Sequence, residues 1–373
     1  MINEDRLVKL FKDLCLINAP ALQEKECVEF TKGYLADMGL EVQEDDAGAK
    51  IGSNSNNVIA TLKGNVEGAP RVFLSAHFDT VEPTEGLVIE ERDGVFYSAS
   101  DTILGADDKG GMAPAIEAVN VLKETGEPHG DVVLLLTLAE EIGLKGAEAM
   151  DLSGLDLDFG YVLDTGPPVG TFVTKTATHD KLDVTIHGIP AHSGKHPEQG
   201  VSAIEVAAEA ISQMKLGRIG PETTANFGVI EGGTGTNVVC PMVKLKGEAR
   251  STSTRELDAQ IDHMMSLLEQ AARERGATVE FDHARHYVNY QIDENDPVVK
   301  YAVEASKQLS MNPELRTTLG GSDANAFNAK GVPSIVMATG MDKIHTHDEF
   351  ISRRDLVDTA RLTLQILKNV AQV

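Results

Sequence analysis

Apolar and polar positions alternate along this chain with two different periods, and those periods mark out its elements. Between residues 4 and 40, apolar positions recur at helical spacing as Leu7, Leu10, Phe11 and Leu14, then as Cys27, Phe30 and Leu35. The break at Asn18-Ala19-Pro20 predicts two amphipathic helices, each laying one face on a sheet. Val58–Leu62 reads as a strand, Gly64–Pro70 as a turn-rich link and Arg71–Ala76 as a short apolar strand. Val88–Tyr97 has the pattern of a hairpin around Asp93-Gly94. The glycine-rich string GADDKGG (Gly105–Gly111) leads into a helical run, Met112–Lys123. Asp131–Leu138 (DVVLLLTL) is almost continuously apolar, as in strands buried on both faces of a parallel sheet, and Phe159–Leu163 is a further short strand.

Near Thr174–Leu182 the texture changes. Lys181–His187 alternates like a half-exposed antiparallel strand, followed by a helix at Ala203–Met214 and a strand near Ala225–Ile230. The turn GGTGTN (Gly232–Asn237) leads to the strand Met242–Arg250, the helix Thr254–Arg275 and the strand Ala277–Phe281. Strand, helix, two turn-linked strands, helix and strand is the order of a ferredoxin-like α+β unit. Residues 177–287 are therefore expected to form an inserted domain, with 1–176 and 288–373 forming one discontinuous domain. The helix Val298–Leu309, the strand Ser334–Thr339 and the helix Arg354–Val370 complete that first domain. No internal repeat or low-complexity stretch interrupts this order.

A chain of 373 residues fits a two-domain reading, and 42% hydrophobic with 24% charged residues is ordinary for a soluble globular protein. The net charge of −25 argues against nucleic acid or an anionic membrane as partner. Its three cysteines, Cys15, Cys27 and Cys240, are widely spaced and form no C-x-x-C, which points to a reducing cytoplasm. The start MINEDRLVKLF lacks the apolar core of a signal peptide, and no apolar run approaches the roughly 20 residues of a membrane span. The expectation is a cytoplasmic protein.

Candidate chemistry collects where strands end. His77 and Asp79 are two apart and project to one face from the carboxyl end of their strand, the place where open α/β sheets keep their ligand sites. Asp107 and Asp108, Glu140 and Glu141, Asp164, and His345 and His347 occupy comparable junctions. Taken singly, each fits a solvated turn or a helix cap. Taken together on successive strands, they form a mixed carboxylate and imidazole set, which suits zinc, manganese or cobalt better than calcium. There is no G-x-x-x-x-G-K-[ST], G-x-G-x-x-G, H-E-x-x-H or G-x-S-x-G string to indicate another enzyme class.

In order and spacing, SAHFDT, GADDKGG, AEEIG, the Asp164 strand end, AHSG, GGTGTN, GGSDANAF and IHTHDE resemble the two-zinc peptidases and amidohydrolases. That family includes peptidase T, aminoacylase and the glutamate carboxypeptidases. GADDKGG and EEIG are most similar to peptidase T and its shorter relatives. The resemblance implies an α/β fold: a zinc-peptidase α/β/α catalytic domain with a central mixed sheet, plus the inserted ferredoxin-like domain as lid and dimerisation module. It implies two divalent ions, zinc with cobalt or manganese as alternatives, and small peptides as substrates. An N-acyl amino acid amidohydrolase or carboxypeptidase would use the same metals. A silent metal-binding scaffold would lack Glu140 or a ligand, and every expected position is occupied.

Position by position, the resemblance implies that His77 and Glu141 each bind a different metal, with Asp107 bridging. Asp164 would complete the site of His77, and His345 the other. His345 is preferred to His347 for its four-residue offset to Glu349. Asp79 would support His77, and Glu140 would be the general base. The Asp107–Asp108 peptide is implied to be cis. His192 matches a histidine that reaches into a partner's active site in dimeric relatives, while Asn237 and Arg250 match substrate contacts. Gly320-Gly321-Ser322-Asp323 reads as a loop that needs close backbone approach.

Overall fold

The computed structural model describes residues 1–372. Its chain divides into two compact units, one comprising Met1–Thr174, Gln291–Thr317 and Ser322–Val373, the other Lys175–Tyr290 and Thr318–Gly321.

The first unit is built on an eight-stranded mixed sheet. Its order is Glu41–Glu44, Val58–Leu62, Val132–Thr137, Val72–His77, Phe159–Thr165, Ser334–Ala338, Thr171–Lys175 and Glu314–Thr317. The four strands from Val132–Thr137 to Ser334–Ala338 run parallel, so their carboxyl ends open on one side. Val58–Leu62 on one flank and Thr171–Lys175 on the other pair antiparallel with this group. The apolar runs VVLLLT and SIVMA are buried at every position, as the unbroken hydrophobic pattern requires. The helix Glu4–Cys15 buries the expected stripe of Leu7, Leu10, Phe11 and Leu14. Ala106–Thr125 lies directly on the sheet, because a Cβ at Gly111 would sit 1.9 Å from the Leu163 carbonyl oxygen. Only glycine permits that approach, one residue before Asp164.

The second unit is a five-stranded antiparallel sheet in the order Gly217–Gly220, Thr223–Gly232, Met242–Ser251, Thr178–His187 and Thr278–Tyr287. The helices Ala203–Gln213 and Thr254–Arg275 bury Val206, Ile261, Met264 and Leu268 against Leu182, Val184, Ile186, Val243 and Leu245. This is the ferredoxin-like layout with one added edge strand, Gly217–Gly220. The unit also takes in Thr318–Gly321, where the expected close approach occurs. A Cβ on Gly321 would lie 2.3 Å from the Tyr287 ring.

The three cysteines are free and buried. Among the described residues no helix is long and apolar enough to cross a membrane.

Candidate metal centre

The four parallel strands deliver their following residues to one edge of the first unit. His77 ends its strand, Glu140 and Glu141 follow Val132–Thr137, Asp164 lies near the end of Phe159–Thr165, and His345 follows Ser334–Ala338. Asp107 arrives from the start of the helix Ala106–Thr125, and its peptide bond to Asp108 is cis.

Three groups of ligand atoms form there: His77, Asp107 and Asp164; Asp107, Glu141 and His345; and His77, Glu140 and Glu141. Asp107 belongs to the first two. Its Oδ1 lies 3.2 Å from His77 Nε2, and its Oδ2 lies 3.2 Å from His345 Nε2. His345 Nε2 is also 3.1 Å from Glu141 Oε1. His347 turns elsewhere, to Glu82 and Asp101. The site therefore has a buried end at His77 and an open end at His345, whose side chain is 48% exposed.

Backbone amides fix the turn that carries the two glutamates. The Asp79 carboxylate accepts from Glu140 N at 2.9 Å and from Glu141 N at 3.1 Å. Glu24 accepts from Ala139 N at 3.0 Å. Three successive amides thus point at two buried carboxylates, an arrangement that holds the turn because buried donors left unpaired are costly. The ring of His77 is oriented through the backbone: its Nδ1 meets the Asp79 carbonyl oxygen at 2.9 Å, with the Asp79 carboxylate farther off at 3.4 Å.

The electrostatics are those of crowded acids. Withdrawal from water pushes Glu140 and Asp164 well above the ordinary carboxylate range, and neighbouring carboxylates add to it. Burial also raises Glu141, while His345 opposes the rise. Burial raises Asp107 too, but the imidazoles of His345 and His77 outweigh it and hold it low. Between Asp107 and Glu141, His345 is pushed up to about 10. Burial pulls His77 down, yet Asp107 and Asp79 prevail and hold it well above its usual value.

Asp108 Oδ1 and Asp323 Oδ1 are buried without a hydrogen-bond partner. Asp323, raised by burial to about 7, receives the Thr137 hydroxyl on its other oxygen. Nothing in the sequence pattern assigns a role to Glu24, Asp323 or the carboxylate of Glu349. The one available signal was the spacing of Glu349 from His345.

His192, Asn237 and Arg250 lie in the second unit. His192 forms a bridge with Val238, and Ser193 N donates to the Asn237 carbonyl at 3.1 Å, so these two residues share one loop pair. Arg250 is not a free surface charge. It grips Glu248 through Nε at 3.2 Å and Nη2 at 3.1 Å, and Nη1 reaches the Leu319 carbonyl at 3.2 Å.

Whole-chain comparisons agree with this layout. The chain is similar over its full length to aminopeptidase PepT from Bacillus cereus, with 39% identity, 100% of both chains covered and a TM-score of 0.93. It matches a tripeptidase from Staphylococcus aureus at 38% identity, 100% of both chains and a TM-score of 0.97. It is 38% identical over 372 residues to the uncharacterized protein YqjE of Bacillus subtilis, covering 100% of each. The family profile described as Peptidase family M20/M25/M40 matches residues 73–369. With a profile match over most of its length and relatives of this identity spanning all of it, the chain belongs to Peptidase family M20/M25/M40.

Proposed function

We propose that this protein is a cytoplasmic, metal-dependent aminopeptidase that removes the first residue of small peptides, tripeptides foremost. The observation that carries the reading is the pair of ligand groups sharing Asp107. The donor set fits divalent metal: buried carboxylates outnumber the cations facing them, and Asp108 Oδ1 has no partner. His77, Asp107 and Asp164 would hold one ion and Asp107, Glu141 and His345 the other, with zinc suited to such nitrogen and oxygen donors. Two bound ions supply Lewis acidity, lowering the pKa of water and polarising a carbonyl.

The remaining work falls to the protein's own groups. Glu140 accepts the proton of the attacking water at its carboxylate and returns it to the leaving amine nitrogen. Burial suits it to this, because the protonated form is favoured more than in water. Asp79 keeps the carboxylate of Glu140 in place through the amides it receives. His192 and Asn237 would contact substrate, with Arg250 on a carboxylate, and the second unit would form a homodimer. The names of the Bacillus cereus and Staphylococcus aureus relatives support the aminopeptidase reading.

The test uses protein reloaded with zinc and a matched set of free, N-acylated and C-amidated di- and tripeptides, with products identified by mass. Release of the first residue from free-amino peptides, fastest from tripeptides, is the expected result. Cleavage confined to N-acylated substrates would overturn it.

A further inference from the structure

Glu349 is buried to 1% exposure, and no lysine or arginine forms an ion pair with it among the described residues. Its carboxylate is instead spent on backbone far away in sequence. Oε2 accepts from Gly105 N at 2.7 Å and Oε1 accepts from Asp107 N at 2.9 Å. Gly105 has φ +74°, a left-handed conformation that leaves its amide free to turn toward the carboxylate. Glu349 thereby grips the segment that carries Asp107.

It also closes the loop that carries His345. Asp342 and Phe350 exchange backbone hydrogen bonds at 2.9 and 3.1 Å, sealing the loop at its base. Inside, Glu349 N donates to the Thr346 carbonyl at 3.1 Å, and the Thr346 hydroxyl donates to the Lys343 carbonyl at 2.7 Å. This short, internally bonded loop presents His345 at one end and Glu349 at the other.

We propose that Glu349 is a positioning residue that sets the separation of Asp107 and His345, and so builds the open ion site. The inference rests on the metal groups proposed above. Each of the two amides needs an acceptor, and the flat carboxylate offers one oxygen to each. A glutamine keeps the shape but turns a donor toward one of the amides. Outer partners that orient metal ligands typically contribute about 10–100-fold in affinity.

The experiment titrates cobalt(II) into full-length, metal-stripped protein and follows visible absorption and bound metal per chain. Wild type is expected to bind two ions. Glu349→Gln should bind the ion shared by Asp107 and His345 about 10–100-fold more weakly, with an altered cobalt spectrum. The ion of His77 should weaken less, because Glu349 closes the His345 loop but reaches that ion only through Asp107. Adding Glu349→Gln to His345→Ala should weaken binding by less than Glu349→Gln does alone, since most of its effect falls on the ion that His345 would hold. Failure of wild type to bind two ions would sink the metal reading itself. Wild-type affinity for both ions in a folded Glu349→Gln protein would overturn the role of Glu349 alone. Should Glu349→Gln not fold, Glu349→Asp, one methylene shorter, is read by the same criterion. Misfolding of both variants would assign Glu349 to the fold and also overturn the proposal.

Discussion

Buried and half-buried acids in the two units live under opposite conditions. In the second unit Asp180 receives Arg285 at 2.8 Å and His283 at 2.8 Å, and Glu248 is held by His179 and Arg250. Burial raises Asp180, but its partners win and bring it below the ordinary value, while His179 and then Arg250 lower Glu248 to about 2. In the first unit Asp107, Asp108, Glu140, Glu141 and Asp164 crowd together, facing His77, His345 and Lys109. Burial drives Asp108, Glu140 and Asp164 upward, and like charge adds to the rise. In the second unit these two acids are met by their own cations. The other unit gathers more carboxylates than facing cations, a surplus that an added cation would offset.

That contrast can be broken at its sharpest point first. Glu140→Gln should lower kcat by about 10²–10⁴-fold while metal analysis still finds two ions per chain. Turnover that survived the change would remove Glu140 as the proton carrier. Next, stripping metal should lower the melting temperature of the wild type, since ligand at a hundredfold its Kd stabilises by about 2.7 kcal/mol per site. His77→Ala should remove about half of that dependence, the share of the one ion it would hold, and a melting curve still fully responsive to added zinc would remove His77 from the site.

Smaller effects belong to the second unit. Asp180→Asn leaves Arg285 with a weaker partner and should cost about 1–2 kcal/mol in a denaturant titration, with turnover unchanged. A fall in kcat to match would mean that the ion pair serves the reaction. The smallest effect is the acid response of Glu248. Its folded pKa lies below its unfolded one, so its stabilisation is full above about 4.5 and fades as pH falls through about 2. Being half-exposed, the pair is screened by water and salt. Wild type and Glu248→Gln should therefore melt apart at pH 5 and converge toward pH 2, and a gap that ignored pH would show that packing, not charge, is at stake.

Much of the fold was legible because its signals are local. The runs VIATL and DVVLLLTL could only be buried strands, and the helix at Thr254–Arg275 is found at the residues its pattern gives. Polar groups at strand ends were legible for the same reason. Short edge strands were not: Glu41–Glu44, Gly217–Gly220 and Glu314–Thr317 carry no alternation of their own and exist through the neighbour they pair with. Nor was the use of Glu24 and Glu349, because each reaches backbone more than a hundred residues away. A carboxylate aimed at an amide leaves no trace in the spacing of side chains. Asp79 faces His77 with both its carbonyl, 2.9 Å from Nδ1, and its carboxylate, 3.4 Å away. The same carboxylate also takes the amides of the glutamate turn, a second use that spacing does not reveal.

Because the two oxygens of Asp79 take adjacent amides, Glu140 and Glu141 hang from a single peg. Both carboxylates approach His77, one carrying the proposed proton transfer and one holding the proposed ion. A shift of that peg moves both together, so the two tasks are geared to each other. A change at residue 79 therefore cannot refine one without disturbing the other.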